Sequence, residues 1–252
     1  MLKIRILPTL LFKEFSLVKG VKFDSSRRIG SVIQAVKVYN MRDVDELAFL
    51  DVSATLEKRH PDFELIDEIA DECFMPLSVG GGIRTVGDVK RLLEVGADKV
   101  IVNTEAVLNP NIIKNIAKKF GSQCVVVSID AKINKNKKYE VFICSGSKAT
   151  GIDPVLFAKR AELLGAGEIL LTSIDRDGTM EGYDVELVKK ISSSVSVPVI
   201  ASGGAGSYKH MESVIIDGNA SAVAAASMFH FTEQTPLEAK KYLKKQGIDT
   251  RV

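Results

Sequence analysis

The sequence repeats itself at an offset of 122 residues, and this repeat limits the possible folds more than any other feature. Separated segments match at this one offset, and the pairs are Glu46 with Glu168, Gly81 with Gly203, Gly82 with Gly204, and Gly96 with Gly218. The apolar run at 99–103 also lies on 221–225. One offset that holds across separated segments indicates duplication, with two halves at about 1–122 and 123–252.

Eight short apolar runs with the composition of β-strands alternate with helical patterns such as VGDVKRLLEVG and DVELVKKIS. The runs lie at residues 3–7, 46–50, 75–79, 99–103, 124–129, 168–173, 197–202 and 221–226. This alternation predicts a single (β/α)8 TIM-barrel domain over residues 1–252, with a parallel sheet covered on both faces. A doubly wound sheet is the alternative, but GGGIRT is not the GxGxxG turn of a nucleotide site and has a twin in the other half.

The composition excludes several classes of partner. The 34 basic and 32 acidic residues leave a net charge of +2, which gives no reason to expect nucleic acid or a membrane as the partner. Cys73, Cys124 and Cys144 have no metal-ligand spacing, and their odd number argues against a disulfide framework. No metal or organic cofactor is predicted. No apolar run reaches the roughly 18 residues that span a bilayer, and the N-terminus resembles a strand rather than a signal peptide. A cytoplasmic protein is therefore expected.

The loops after the third and seventh runs are rich in glycine, and a polar residue follows each neighbouring run. The residues concerned are Gly81, Gly82, Asn103 and Thr104 in one half, and Gly203, Gly204 and Ser227 in the other. Barrel chemistry is located at these strand ends, where glycine lets the backbone approach an anion and N–H groups can bind it. Two phosphate sites on opposite sides of the barrel mouth are predicted, for a substrate with a phosphate at each end. The alternative is that these glycines only form tight turns.

Three acidic residues lie near strand ends and are candidates for chemistry at the mouth. Asp130 follows the fifth run and is the best candidate for a general acid or base, although it could instead cap a loop. Asp51 follows the second run, and Asp177 follows the sixth in the stretch SIDRDGT, which also contains Gly178 and Thr179. Asp175 and Asp177 flank an arginine and could equally form a salt-bridged loop. Lys19, in the first loop, could close over an anionic substrate.

Charged residues also stand at the starts of four strands, where barrels are usually apolar. They are Arg5, Glu46, Lys99 and Glu168. Two positive and two negative side chains could form a ring of ion pairs across the barrel floor. A buried ring of this kind is weak evidence for stability, because desolvation offsets much of the attraction. A polar gate that a small neutral molecule can pass is therefore one interpretation, and ordinary surface pairs are the other.

The chain closely resembles the cyclase subunits of imidazole glycerol phosphate synthase, the HisF family, from Arg5 to about Gly247. The motifs that carry the resemblance are VKGVKF, DELAFLDVSA, VGGGIRTVGDV, VVVSIDAK, GAGEILLTSIDRDGT, VIASGGAG and AAASMFHF. The resemblance implies a glutaminase partner on the barrel floor, ammonia passage through the barrel, and a bisphosphorylated aminoimidazole substrate at the mouth. It also implies that the four floor charges form the ammonia gate and that Asp130 is one of two catalytic aspartates.

The sequence departs from this family at Leu11, where the family pattern has its other catalytic aspartate. Leucine cannot transfer a proton. Glu14, three residues later, would need a different backbone path to replace the missing aspartate. Loss of one acid–base group is expected to reduce turnover by about 10²–10⁴-fold. The pattern resembles paralogues associated with surface-polysaccharide genes, in which the barrel supplies ammonia to an ATP-using acceptor enzyme that builds an amidino group on a sugar. That role is preferred over a genuine histidine cyclase, a non-catalytic conduit or the sister sugar-phosphate isomerase.

Overall fold

The computed structural model describes residues 3–24 and 27–251. Its strands are β1 (Arg5–Lys13), β2 (Ser16–Val18), β3 (Arg28–Gly30), β4 (Leu47–Asp51), β5 (Leu77–Gly80), β6 (Lys99–Val102), β7 (Val125–Ile133), β8 (Tyr139–Ile143), β9 (Lys148–Ala149), β10 (Glu168–Ser173), β11 (Val199–Ser202) and β12 (Ala222–Ala225). Its helices are α1 (Val32–Asn40), α2 (Phe63–Glu72), α3 (Val86–Glu94), α4 (Thr104–Leu108), α5 (Asn111–Phe120), α6 (Pro154–Leu163), α7 (Val185–Ser192), α8 (Tyr208–Ile216), α9 (Ser227–Phe231) and α10 (Pro236–Lys245), with a 3₁₀ turn at Ser122–Cys124.

Eight of these strands form a closed parallel barrel, which confirms the predicted (β/α)8 fold. The order around the barrel is β1, β4, β5, β6, β7, β10, β11 and β12. The ring closes where β12 pairs with β1, with Arg5 opposite Ala222. A parallel pair requires a crossover connection, and the helices that supply these crossovers cover the outer face of the barrel.

Two barrel strands are longer than the sequence pattern predicts. The first predicted strand ends at residue 7, but β1 continues to Lys13, because Thr9–Phe12 pair with β4 and Phe12 and Lys13 pair with β2. The fifth strand continues past Asp130 to Ile133, because β8 folds back against it in an antiparallel hairpin. Leu11 and Asp130 therefore lie within strands rather than in the loops after them.

Six of the helices in the described residues begin where a polar side chain caps the first turn. Thr85 and Asp88 form a capping box at α3, in which each side chain accepts a hydrogen bond from the other residue's backbone N–H. The other side-chain caps are Asp62 at α2, Asp153 at α6, Asp184 at α7, Ser207 at α8 and Thr235 at α10. These caps fix where the chain turns from each loop into its helix.

The alternation of side chains along the strands divides the core into two parts. Ile6 and Leu10 on β1 face outward and pack in the large cluster between barrel and helices, whereas Leu7 faces inward. The inner cluster is formed by Leu7, Ala48, Ile101, Val126, Leu170, Ile200, Ala222 and Ala224. This inner cluster is an apolar layer between the barrel floor, at the strand starts, and the barrel mouth, at the strand ends.

A buried ion pair joins the last helix to the start of the barrel. The Nζ atom of Lys240 on α10 lies 2.9 Å from an Oδ atom of Asp45, and both side chains are 2% exposed. The other Asp45 oxygen accepts a hydrogen bond of 2.9 Å from the backbone N–H of Ile6. Helix α10 is therefore held against β1 by charge as well as by apolar packing.

Candidate active site

The strand ends surround a cavity of about 400 Å³ at the barrel mouth. Twelve residues that the sequence predicts to act at this mouth line it: Lys19, Asp51, Gly81, Gly82, Asn103, Thr104, Asp130, Asp177, Gly178, Gly203, Gly204 and Ser227. Thr179 is not among the described residues that line it. Its hydroxyl instead donates to the carbonyl of Arg176 and holds the turn that follows β10.

Asp130 lies on the inner face of β7 and is held by side chains rather than by a loop. Its carboxylate accepts hydrogen bonds of 3.1 Å from Asn103 Nδ2 and 3.3 Å from Ser128 Oγ. Burial raises the pKa of Asp130 to about 7; the bond from Ser128 opposes this rise, and the charge of Asp177 adds to it. Asp130 can therefore take up or release a proton near neutral pH, as a general acid or base requires.

Lys19 is buried at the mouth and is paired with Asp177. Its Nζ atom lies 2.9 and 2.7 Å from the two carboxylate oxygens. The backbone N–H of Lys22 also donates to the carbonyl of Asp177 over 2.7 Å. These contacts dock the segment after β2 on the loop after β10 and place Lys19 on the cavity wall, where its ammonium group can face an anionic ligand. The alternative that Asp177 forms a salt bridge within its own loop is therefore wrong, because its carboxylate pairs with Lys19 instead.

Asp51 organises the loop that follows β4. One of its oxygens accepts hydrogen bonds from the backbone N–H and hydroxyl of Ser53, each 2.9 Å, and from the N–H of Ala54 at 3.0 Å. The other oxygen lies 3.2 Å from Arg59 Nη2. The carboxylate of Asp51 therefore shapes this wall of the cavity through its loop contacts.

The paired glycine loops adopt backbone conformations that other residues rarely accept. The φ angles are 109° at Gly81, 72° at Gly82, 88° at Gly203 and 105° at Gly204. A Cβ atom on Gly204 would lie 2.1 Å from the carbonyl oxygen of Gly182. Close contact between neighbouring loops thus explains why position 204 requires glycine, and no ligand is needed for that explanation. Phosphate binding by the glycine loops stays a prediction.

The polar residues beside the glycine loops begin two short helices. Thr104 begins α4, and its hydroxyl accepts a hydrogen bond of 3.0 Å from the backbone N–H of Cys144. Ser227 begins α9, and its buried hydroxyl has no hydrogen-bond partner among the described residues. An unpartnered buried hydroxyl on the cavity wall is suited to bind a polar ligand group.

Leu11 lines the cavity, whereas Glu14 does not replace the missing acid there. Glu14 lies in the turn between β1 and β2 with a φ of 57°, and its carboxylate lies 2.7 Å from Arg28 Nη2. Both members of this pair are exposed, outside the residues that line the mouth. Among the described residues, Asp130 is therefore the cavity acid whose pKa is raised toward neutrality.

At the opposite end of the barrel, the four charged residues form a closed ring. Arg5 lies 2.6 Å from Glu46 and 3.1 Å from Glu168. Lys99 lies 2.9 Å from Glu46 and 3.0 Å from Glu168. Ser78 Oγ also donates to Glu46 over 2.6 Å. Each cation thus contacts both anions, and the ring lies across the floor directly beneath the apolar layer.

Polar side chains on the inner faces of the strands also belong to the site, although the sequence pattern does not predict them. Thr9, Ser128, Thr172 and Ser202 all line the mouth cavity. The strand period of two contains the signal, because Val126, Ser128 and Asp130 alternate with outward apolar residues along β7. Serine and threonine are few within these otherwise apolar runs, and the alternation is therefore weak in the sequence.

The described residues contain no group of three or more His, Cys, Asp or Glu side chains that could hold a metal ion. None of the helices there is long and apolar enough to cross a membrane.

A closed parallel barrel that carries a carboxyl group with a near-neutral pKa at its C-terminal mouth has the arrangement of (β/α)8-barrel enzymes. The model of the family described as "Histidine biosynthesis protein" matches residues 5–235, and the chain belongs to this family. The family includes isomerase and cyclase types of histidine biosynthesis enzyme.

Proposed function

We propose that the chain is a HisF-type barrel subunit that receives ammonia from a glutaminase at its floor and conducts it to the mouth. The closed ring of Arg5, Glu46, Lys99 and Glu168 is the observation that carries this proposal. Four partly buried charges at a barrel floor are costly to desolvate, and stability alone is a poor reason to keep them. A ring that excludes ions and opens by the movement of one side chain suits the passage of neutral ammonia.

The mouth supports a second part of the proposal, that cyclase chemistry has been lost while substrate binding is retained. Asp130 has partners and a pKa suited to proton transfer, but Leu11 occupies the position of the second acid. Glu14 points to Arg28, away from the cavity. We therefore propose that ammonia leaves for a separate ATP-using acceptor enzyme that builds an amidino group on a sugar, as in the surface-polysaccharide paralogues that the sequence resembles.

A genuine cyclase of histidine biosynthesis is the second candidate. It is favoured by the contacts of Asp130 with Asn103 and Ser128 and by the glycine loops on both sides of the mouth. In that case one acid–base group would suffice for the cyclisation of the bisphosphorylated precursor. A non-catalytic conduit that docks the acceptor enzyme is the third candidate, and the lack of an acid at Leu11 favours it.

Ammonia-dependent turnover of the bisphosphorylated aminoimidazole precursor separates these candidates. Purified wild-type protein and Leu11→Asp are assayed side by side with ammonium chloride, and the double variant Leu11→Asp with Asp130→Asn is the matched control. We expect Leu11→Asp to turn over about 10²–10⁴-fold faster than wild type, and the control to lose this gain. Growth of a strain that lacks its own cyclase and expresses one of the three proteins provides a second readout. We expect Leu11→Asp to support growth better than wild type or the double variant.

The other outcomes assign the protein to one of the alternatives. Rapid turnover by wild type would identify a genuine cyclase and refute the loss of chemistry at Leu11. No turnover by either protein, together with stimulation of a co-expressed glutaminase by the barrel, would identify a non-catalytic conduit.

A further inference from the structure

The hydroxyl of Thr9 is a buried polar group inside the barrel that no step above uses. Thr9 is 7% exposed and lines the mouth cavity. Its Oγ1 atom has no hydrogen-bond partner among the residues that the structure describes. Leaving a buried hydroxyl without a partner is costly, and such groups usually bond to water or a ligand.

The position of Thr9 along β1 places this hydroxyl just above the apolar layer. Leu7, two residues earlier, faces inward and belongs to that layer, and Leu11, two residues later, lines the mouth. Thr9 lies opposite Ala48 on one neighbouring strand, and the adjacent Pro8 lies opposite Ala225 on the other. Ala48 belongs to the inner cluster and is a small neighbour of Thr9, whereas Ala225 belongs to the outer cluster. Because Thr9 lines the mouth cavity, a small molecule can reach it.

In the part of the chain that the structure describes, the other buried side-chain polar atoms without hydrogen-bond partners already have a place in the site. Ser227 Oγ belongs to the predicted phosphate site, and Glu168 Oε2 lies 3.1 Å from Arg5 in the floor ring. The inward hydroxyl of Ser128 is engaged by Asp130. Thr9 is thus an unassigned hydrogen-bonding group on the route from floor to mouth.

We propose that the Thr9 hydroxyl is a binding site for ammonia where the apolar layer ends and the mouth begins. This inference rests on the proposed passage of ammonia through the barrel. Neutral ammonia is small enough to reach this hydroxyl on the cavity wall, whereas the ammonium ion is strongly disfavoured in the apolar layer beneath it. By accepting an N–H bond from ammonia, the hydroxyl leaves the nitrogen lone pair free to react at the mouth or beyond it.

The direct test is a titration of protein labelled with ¹³C at the threonine methyl groups, observed by NMR. Ammonium chloride is added at an alkaline pH, where part of it is neutral ammonia, and sodium chloride at equal ionic strength is the control. Thr9→Val identifies the Thr9 methyl signal by its loss. We expect a saturable shift of this signal with ammonium chloride alone, and a smaller shift at acidic pH. The absence of a saturable shift, or an equal shift with sodium chloride, would overturn the inference.

A kinetic test in the Leu11→Asp background separates a role for Thr9 in ammonia binding from a structural role. Thr9→Val removes the hydroxyl and keeps the shape, and we expect it to raise the KM for ammonia about fivefold, the effect of one lost hydrogen bond. The KM for the phosphorylated precursor should stay within about twofold, as should both constants for Thr9→Ser, which retains the hydroxyl. A rise in the precursor KM instead would assign Thr9 to the substrate site.

The two tests fail in different ways. If Leu11→Asp shows no turnover, the proposal that substrate binding is retained is refuted. The methyl titration still decides whether Thr9 binds ammonia. If turnover appears and the Thr9 methyl signal does not respond, the proposed function stands without this site.

Discussion

Replacement of Lys99 by methionine is expected to destabilise the protein by about 3 kcal/mol, because it leaves two buried carboxylates with one cation. The side chains of Glu46 and Glu168 are only 3% and 14% exposed, and Lys99 contacts both, at 2.9 and 3.0 Å. Arg5 still pairs with both glutamates after the change, and Ser78 still donates to Glu46. These remaining contacts keep the loss near the lower limit of the about 3–5 kcal/mol expected when one partner of a buried pair is removed.

A double-mutant cycle with Glu46→Gln turns this estimate into a test of the ring as a unit. Glu46→Gln keeps the size of the side chain and leaves two cations facing one carboxylate, so that it also costs about 3 kcal/mol. The double variant restores balance, with Arg5 facing Glu168 alone. The expected loss is then about 4 kcal/mol rather than the sum of the single losses, a coupling energy of about 2 kcal/mol.

Urea unfolding monitored by circular dichroism measures the free energy of unfolding of all four proteins, and their m-values are compared to exclude changes in the unfolded state. Lys90→Met is the matched control, because Lys90 forms an exposed pair with Glu94 and its loss should cost under about 1 kcal/mol. A coupling energy below about 0.5 kcal/mol would refute the ring as a cooperative unit, since residues in one buried network couple by more than this.

Three further predictions concern the mouth and the frame of the barrel. Because the pKa of Asp130 is raised to about 7, the folded state favours its proton, and this stabilisation is present at low pH and lost as the pH rises from the ordinary aspartate value through about 7. Wild type should therefore lose up to about 4 kcal/mol relative to Asp130→Asn between about pH 4 and pH 8 in urea unfolding, and parallel pH profiles would contradict the raised pKa. Gly204→Ala should cost over about 2 kcal/mol more than Gly151→Ala, because both positions have positive φ but only the first meets a carbonyl oxygen, at 2.1 Å; equal melting temperatures would count against this packing. Lys240→Met should cost about 3–5 kcal/mol, because it leaves Asp45 buried without its cation, and Lys240→Met combined with Asp45→Asn should recover part of the loss; a loss below about 1 kcal/mol would show that Asp45 is not a buried charge.

Glu14 and Leu11 show which features of the mouth the sequence predicts and which it leaves open. The sequence predicts a first strand at residues 3–7 and has Leu11 where the family that it resembles has an acid, and it leaves Glu14 open as a substitute. Only the tertiary structure excludes Glu14 from the cavity, because the turn between β1 and β2 directs it to Arg28. A contact between residues 14 and 28 depends on how two short strands pair, and no local pattern encodes that register.

At the barrel floor, too, the sequence predicts which residues are present, and only the tertiary structure shows which of them are in contact. Charges at four strand starts are visible in the sequence, and the barrel prediction places them at one end. That each cation contacts both anions follows from the stagger of strands around a closed barrel, which a linear pattern does not contain. The hairpins β2–β3 and β8–β9 also escaped prediction, because short antiparallel strands give a weak local signal.

The sequence by itself predicted two duplicated halves, and it determined the eight-stranded barrel and the set of glycines and acidic residues that lies at its mouth. These features follow from periodicity and chain order, which are local or repeated properties. The tertiary structure alone decided which side chains meet: the burial of Lys19 against Asp177, the raised pKa of Asp130, and the unpartnered hydroxyl of Thr9. Burial and pairing arise when segments far apart in the chain come together and exclude water, and that exclusion is a property of the closed barrel rather than of any segment.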